Sequence, residues 1–145
     1  MKYYEYDTEG WFVGWHEDAT RQKWTVIEPT VSPAFARWNG SAWLEDTSMR
    51  ADEKAARIAA AWEAADKHAQ QMDTNSRSSL LWIYYDPNTS QECKDMVVNV
   101  QSWWEEVWIE YARVKSLIEA GQAVEYDPSV VGNCPYTIWQ INAAR

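Results

Sequence analysis

The spacing of apolar positions changes once along this chain, near residue 46. Before that point apolar residues come in short, partly alternating runs broken by Gly and Pro. After it they recur at three- and four-residue steps over long spans. Alternation belongs to half-buried strands, and steps of three and four to one face of a helix. The pattern therefore predicts an α+β chain. A small antiparallel, β-hairpin-rich N-terminal part is followed by about three helices, the last one long, and by a short C-terminal strand.

In chain order, residues 2–6 and 11–15 read as two strands joined by the turn Asp7–Gly10. Gly14 inside the second strand suggests a bulge or a close backbone approach. His16–Ala19 reads as a polar turn and Lys23–Ile27 as a third strand. Pro29 and Pro33 bracket an extended segment. Asn39-Gly40 sits between two strand-like runs carrying Trp38 and Trp43, a strong hairpin pattern because both turn residues tolerate positive φ.

Asp46, Thr47 and Ser48 are acceptable N-caps, and helix formers follow from Met49 to about Gln71. Ala51, Ala55, Ile58, Trp62, Ala65, Ala69 and Met72 form a heptad seam. Asp73–Ser76 reads as a stop and restart. The short helix after it, to Tyr85, is apolar nearly all round and expected to be buried. Thr89–Glu92 reads as a capping box opening the longest helix, which Gly121 ends as its C′ glycine. That helix has a seam from Cys93 through Val97, Val100, Trp104, Val107, Tyr111 and Val114 to Ile118. Trp103, Trp108 and Leu117 on its flank require a second neighbour. Tyr136–Ile141 alternates and reads as a terminal strand. The organisation expected is 1–45 β-rich, 46–121 helical and 122–145 a C-terminal extension. The helical seams could also join copies of the chain into a homo-oligomer.

The formal charge of −9 sharpens this picture. It disfavours a nucleic-acid partner, which needs clustered Lys and Arg against phosphate. Apolar runs are too short to span a membrane, and the first residues lack the apolar region of a signal peptide. Two cysteines make no disulfide framework, pointing to a reducing cytoplasm. Eleven tryptophans are more than one core of this size readily hides. Some are therefore expected at an interface.

Candidate chemistry is sparse. His16 and His68 are isolated, read as exposed, and lack metal-ligand spacing. Cys93, near a helix start, could have a lowered thiol pKa, but no Cys–His motif accompanies it or Cys134. Glu105, Glu106 and Glu110 lie among tryptophans, as in sugar sites. A solvated helix stripe, with Glu110 pairing to Arg113, explains them better. No P-loop, dinucleotide fingerprint or Gly-x-Ser-x-Gly is present. No cofactor, metal or enzymatic activity is expected.

The stretch Arg37-Trp-Asn-Gly-Ser-Ala-Trp-Leu-Glu-Asp-Thr47, running into a charged helix, resembles the tail fibre assembly proteins of tailed bacteriophages. In that family a Trp-(Asn/Asp)-Gly-x-x-Trp hairpin follows a Pro-containing linker and leads into a helical part. Here Pro29 and Pro33 precede Trp38, Asn39, Gly40 and Trp43 in that order. The opening tyrosines with Gly-Trp-Phe-Val-Gly14 look like the start of phage fibre-associated proteins, and Met72–Arg77, followed by helices, is similar to a C-terminal domain that recurs in phage tail genes. The last twenty residues depart from the family pattern. The resemblance implies a non-enzymatic protein that binds a tail fibre, its receptor-binding tip or another tail protein, as an assembly chaperone in the bacterial host cytoplasm. A structural subunit retained in the virion tail is the alternative, and a carbohydrate-binding adhesin or glycan-active protein a third. The expected partner contacts are Trp11, Trp15, Trp38 and Trp43, with Tyr136, Ile138 and Trp139 as a second patch.

Overall fold

Strands fill the first third of the chain and helices the rest, in the α+β arrangement expected. The computed structural model describes residues 1–18 and 23–145. The strands are β1 (Tyr3–Tyr6), β2 (Phe12–His16), β3 (Trp24–Thr25), β4 (Ala36–Trp38) and β5 (Trp43–Glu45). The helices are α1 (Ala51–Ala69), α2 (Thr74–Tyr85), α3 (Gln91–Glu119), α4 (Pro128–Val131) and α5 (Ile138–Ala143). They form two compact units, Met1–Ser48 and Met49–Arg145. The end of the expected turn at Ala19 lies outside the described residues.

In the N-terminal unit β1 is the central strand of an antiparallel sheet ordered β2-β1-β3. The β1–β2 turn is organised by Asp7, whose carboxylate accepts from the Glu9 and Trp11 amides. The bulge expected near Gly14 is present: Glu5 pairs Gly14 and Tyr6 pairs Phe12, leaving Val13 extra. The close approach falls instead at Gly10, where φ is +92° and a Cβ would lie 2.5 Å from the Trp38 carbonyl oxygen. β3 is shorter than expected. β4 and β5 pair with Trp38 opposite Trp43. Their loop spans four residues rather than two: Asn39 Oδ1 accepts from the Ser41 and Ala42 amides, and only Gly40 takes a positive φ.

In the helical unit α1 and α3 pack together, with α2, α4 and α5 also against α3. The buried stripe of α1 is Ala61, Ala65, His68 and Ala69, continued by Met72. The expected seam fails in its first half, where Ala51 and Ala55 are exposed and Trp62 is half exposed. A straight helix drifts against a seven-residue repeat, so the contact stripe rotates off that seam. The α1 N-cap is Arg50, without a side-chain bond, rather than residues 46–48. Asp73 caps α2 through the Ser76 amide, and Ser90, one residue later than expected, caps α3 through the Cys93 amide. Gly121 ends α3 at φ +91° as expected. Its N–H bonds Ile118 O, and the Gln122 N–H bonds Leu117 O. Among the described residues no helix is long and apolar enough to cross a membrane.

Two expectations are corrected. The terminal segment is a helix, not a strand. Thr137 and Gln140 make a reciprocal capping box that starts α5 at Ile138, and Ile141 is its buried residue. A six-residue helix buries only one side chain, which on paper looks like alternation. The second correction concerns α2, which buries only Leu80 and Ile83 and leaves Leu81, Trp82 and Tyr85 exposed. Its main neighbour is α3, and one neighbour covers one stripe.

Candidate partner-binding site

The tryptophans expected at the partner contact divide between packing and surface, and Trp38 and Trp43 pack on each other. Trp11 and Trp43 are buried, and Trp38 is partly so. Trp38 and Trp43 lie 5.4 Å apart by ring centroids, with Tyr6 beside both and Phe12 edge-on to Trp43. The Trp43 indole donates to Ile27 O at 2.7 Å, tying the stretch just after β3 to the hairpin. The Arg37 guanidinium lies over the Trp11 ring, donates to Glu9 O and pairs with Asp46. Hydrogen bonds from Ser48, then from Arg37, hold the Asp46 carboxyl down to about 2. These residues lock the two small sheets of the unit to each other and are not an open docking face.

Trp15 is the member of the N-terminal set that faces water. It is 49% exposed on β2, with the Lys2 ammonium 4.5 Å over its ring. Glu5 and His16 pair at 2.8 Å across the same two strands. Of the second patch, Tyr136 and Ile138 pack against the helical core, while Trp139 is 79% exposed. α5 explains the split: Ile138 and Ile141 share its inner face, and Trp139 points outward. The periodicity missed Trp82, which is 80% exposed on α2. No local pattern distinguishes it from its buried neighbour Ile83.

A buried polar cluster, absent from the expectations, holds residues 126–132 onto α1 and α3. His68 is buried rather than exposed. Its Nε2 and the Trp103 Nε1 both reach Gly132 O, at 2.7 and 2.9 Å. A carbonyl only accepts, so Nε2 carries the proton, and in the neutral ring Nδ1 accepts from the Tyr126 hydroxyl at 2.7 Å. Burial, then the Glu110 carboxylate, pushes the Tyr126 phenol up to about 12. The expected Glu110–Arg113 pair forms with two bonds, although Glu110 itself is buried. His68 thereby ties Tyr126 and Gly132 to α1.

Cys93 runs against the sequence reading, since burial raises its pKa, as it does that of Cys134. Cys93 donates to Ile141 O and packs α5 onto α3. Among the described residues no cluster of His, Cys, Asp or Glu is placed to hold a metal ion. Glu105 and Glu106 are exposed side by side on α3. No protein-family model, curated protein or solved structure matches this chain.

Proposed function

We propose that this chain is a non-enzymatic protein of a tailed bacteriophage that binds the tail fibre or its receptor-binding tip as an assembly chaperone. The observation that carries this reading is that Trp139 and Trp15, of the residues expected to contact a partner, stand 79% and 49% exposed. Trp is among the residues most enriched as anchors of protein interfaces. A net charge of −9 keeps the chain soluble while they wait for a partner. The resemblance of residues 37–47 to tail fibre assembly proteins directs the choice of partner.

The candidate contacts narrow to Trp15 and Trp139, each on its own unit. Trp11, Trp38, Trp43, Tyr136 and Ile138 act beneath them by holding β2 and α5 in place. A chaperone of this kind covers apolar fibre surface until the fibre chains assemble. The fibre expressed alone is then expected to be insoluble or unassembled, and soluble when co-expressed with this chain. Soluble, assembled fibre without it would refute the chaperone role. Stoichiometric recovery of this chain from purified virions would assign it to the virion structure instead.

A further inference from the structure

On the helical unit, Leu81, Tyr84 and Tyr85 of α2 and Val98 of α3 line an open groove of about 270 Å³. Their exposures are 63%, 37%, 75% and 47%. With side-chain areas of roughly 150–250 Å² for the aromatic members, the patch presents on the order of 400 Å². A standard interface takes about 800 Å² from each partner, a little over half of it apolar. The patch thus matches most of the apolar part of one such face.

The charges around it are ordered. Lys94, Val98, Gln101 and Glu105 follow at steps of four, three and four, which places them on one stripe of α3. Val98, Gln101 and Glu105 border the groove. Lys94 lies at the stripe's other end, towards Asp86 in the α2–α3 connection, whose pKa is lowered first by the Asn88 amide, then by Arg145, and last by Lys94. The stripe therefore runs from a cation, through an apolar and neutral centre, to a carboxylate. The Arg77 guanidinium, at the Glu105 end, is engaged over the Trp104 ring at 4.7 Å.

We infer that this groove is the interface of a homodimer in which two copies of α3 meet antiparallel about a twofold axis between Val98 and Gln101. A twofold contact brings one patch onto itself with its ends exchanged. Lys94 of each copy then faces Glu105 of the other, and the apolar centres meet. A uniformly basic or acidic partner would satisfy one end of the stripe and repel the other. The second copy satisfies both. This surface contains neither Trp15 nor Trp139, so dimerisation and fibre binding can fail separately.

Sedimentation equilibrium of the full chain tests the inference, with circular dichroism as the control for folding. The wild type is expected to be dimeric and Val98→Asp monomeric. Lys94→Glu and Glu105→Lys each turn two symmetry-related attractions into repulsions, weakening association by about tenfold or more. The Lys94→Glu/Glu105→Lys double variant restores the pairs and is expected to recover dimerisation. A wild type that stays monomeric at about 100 μM overturns the proposal. So does a dimer indifferent to all three substitutions, or a double variant no better than either single one.

Discussion

Replacing Gly10 with Ala places a methyl carbon 2.5 Å from the Trp38 carbonyl oxygen, in a backbone with φ +92°. Two terms add. A side chain held at positive φ costs roughly 1–2 kcal/mol. Relieving the clash means separating residues 10 and 38, which breaks the 2.7 Å bond from the Trp38 N–H to Gly10 O. That loss is about 1 kcal/mol. Restricting the unfolded chain returns roughly 0.4–1 kcal/mol. The net destabilisation is about 2 kcal/mol, against roughly 2–7 kcal/mol for a unit of this size at the usual stability per residue. Gly40→Ala is the control, because Gly40 has φ +99° but open space around its Cβ position. It carries only the conformational term. Urea unfolding should be followed by near-ultraviolet circular dichroism, to which Trp38–Trp43 of this unit and Trp62, Trp104 and Trp108 of the helical unit both contribute, so the component that moves while the far-ultraviolet signal stays fixed belongs to this unit. Far-ultraviolet dichroism reports chiefly on the helices. The near-ultraviolet midpoint of Gly10→Ala is expected well below that of Gly40→Ala, with the helical transition unmoved. Equal midpoints for the two variants would refute the close-approach argument.

Two further outcomes follow from the polar contacts. His68→Leu is expected to destabilise the helical unit by roughly 2–4 kcal/mol, because it strips the Tyr126 hydroxyl and one Gly132 carbonyl bond of their partner inside the core; chemical denaturation measures it, and a loss under about 0.5 kcal/mol contradicts the structural role. The Asp46 carboxyl is held below its ordinary value of 3.8, at about 2, so the unfolded chain binds more protons in between. The stability it supplies is present above about pH 4 and lost as pH falls towards 2. Acid titration of Asp46→Asn should therefore show a shallower decline over that window, and an unchanged profile would rule the linkage out.

What the sequence revealed was local. The Asp7–Gly10 turn, the Trp38–Trp43 hairpin, the bulge near Gly14, the Asp73 restart and the Gly121 stop are each set by residues within a few positions of one another. Reading fails where a distant partner decides. His68 looks exposed because its partners, Tyr126 and Gly132, lie 58 and 64 residues away. Trp11 and Trp43 look available because nothing nearby says that Arg37 and Ile27 cover them. The burial of α2 was overestimated because apolar content on all sides says nothing of how many neighbours exist to cover them. α5 is a different kind of error. Thr137-x-x-Gln140 is a capping box legible in the sequence, and alternation across six residues outweighed it only because short segments fit both periods.

Affinity for an unassembled single-chain fragment of the fibre tip, held soluble as a fusion, tests the central claim most directly, measured by isothermal titration for the wild type and for Trp15→Ser combined with Trp139→Ser. Both side chains are exposed, so the variant should keep its fold and unfolding midpoint. The account predicts binding by the wild type and an affinity weaker by at least about tenfold in the double variant, since a buried Trp anchor is worth about 2 kcal/mol or more. Equal affinities, or no binding by the wild type, would contradict it.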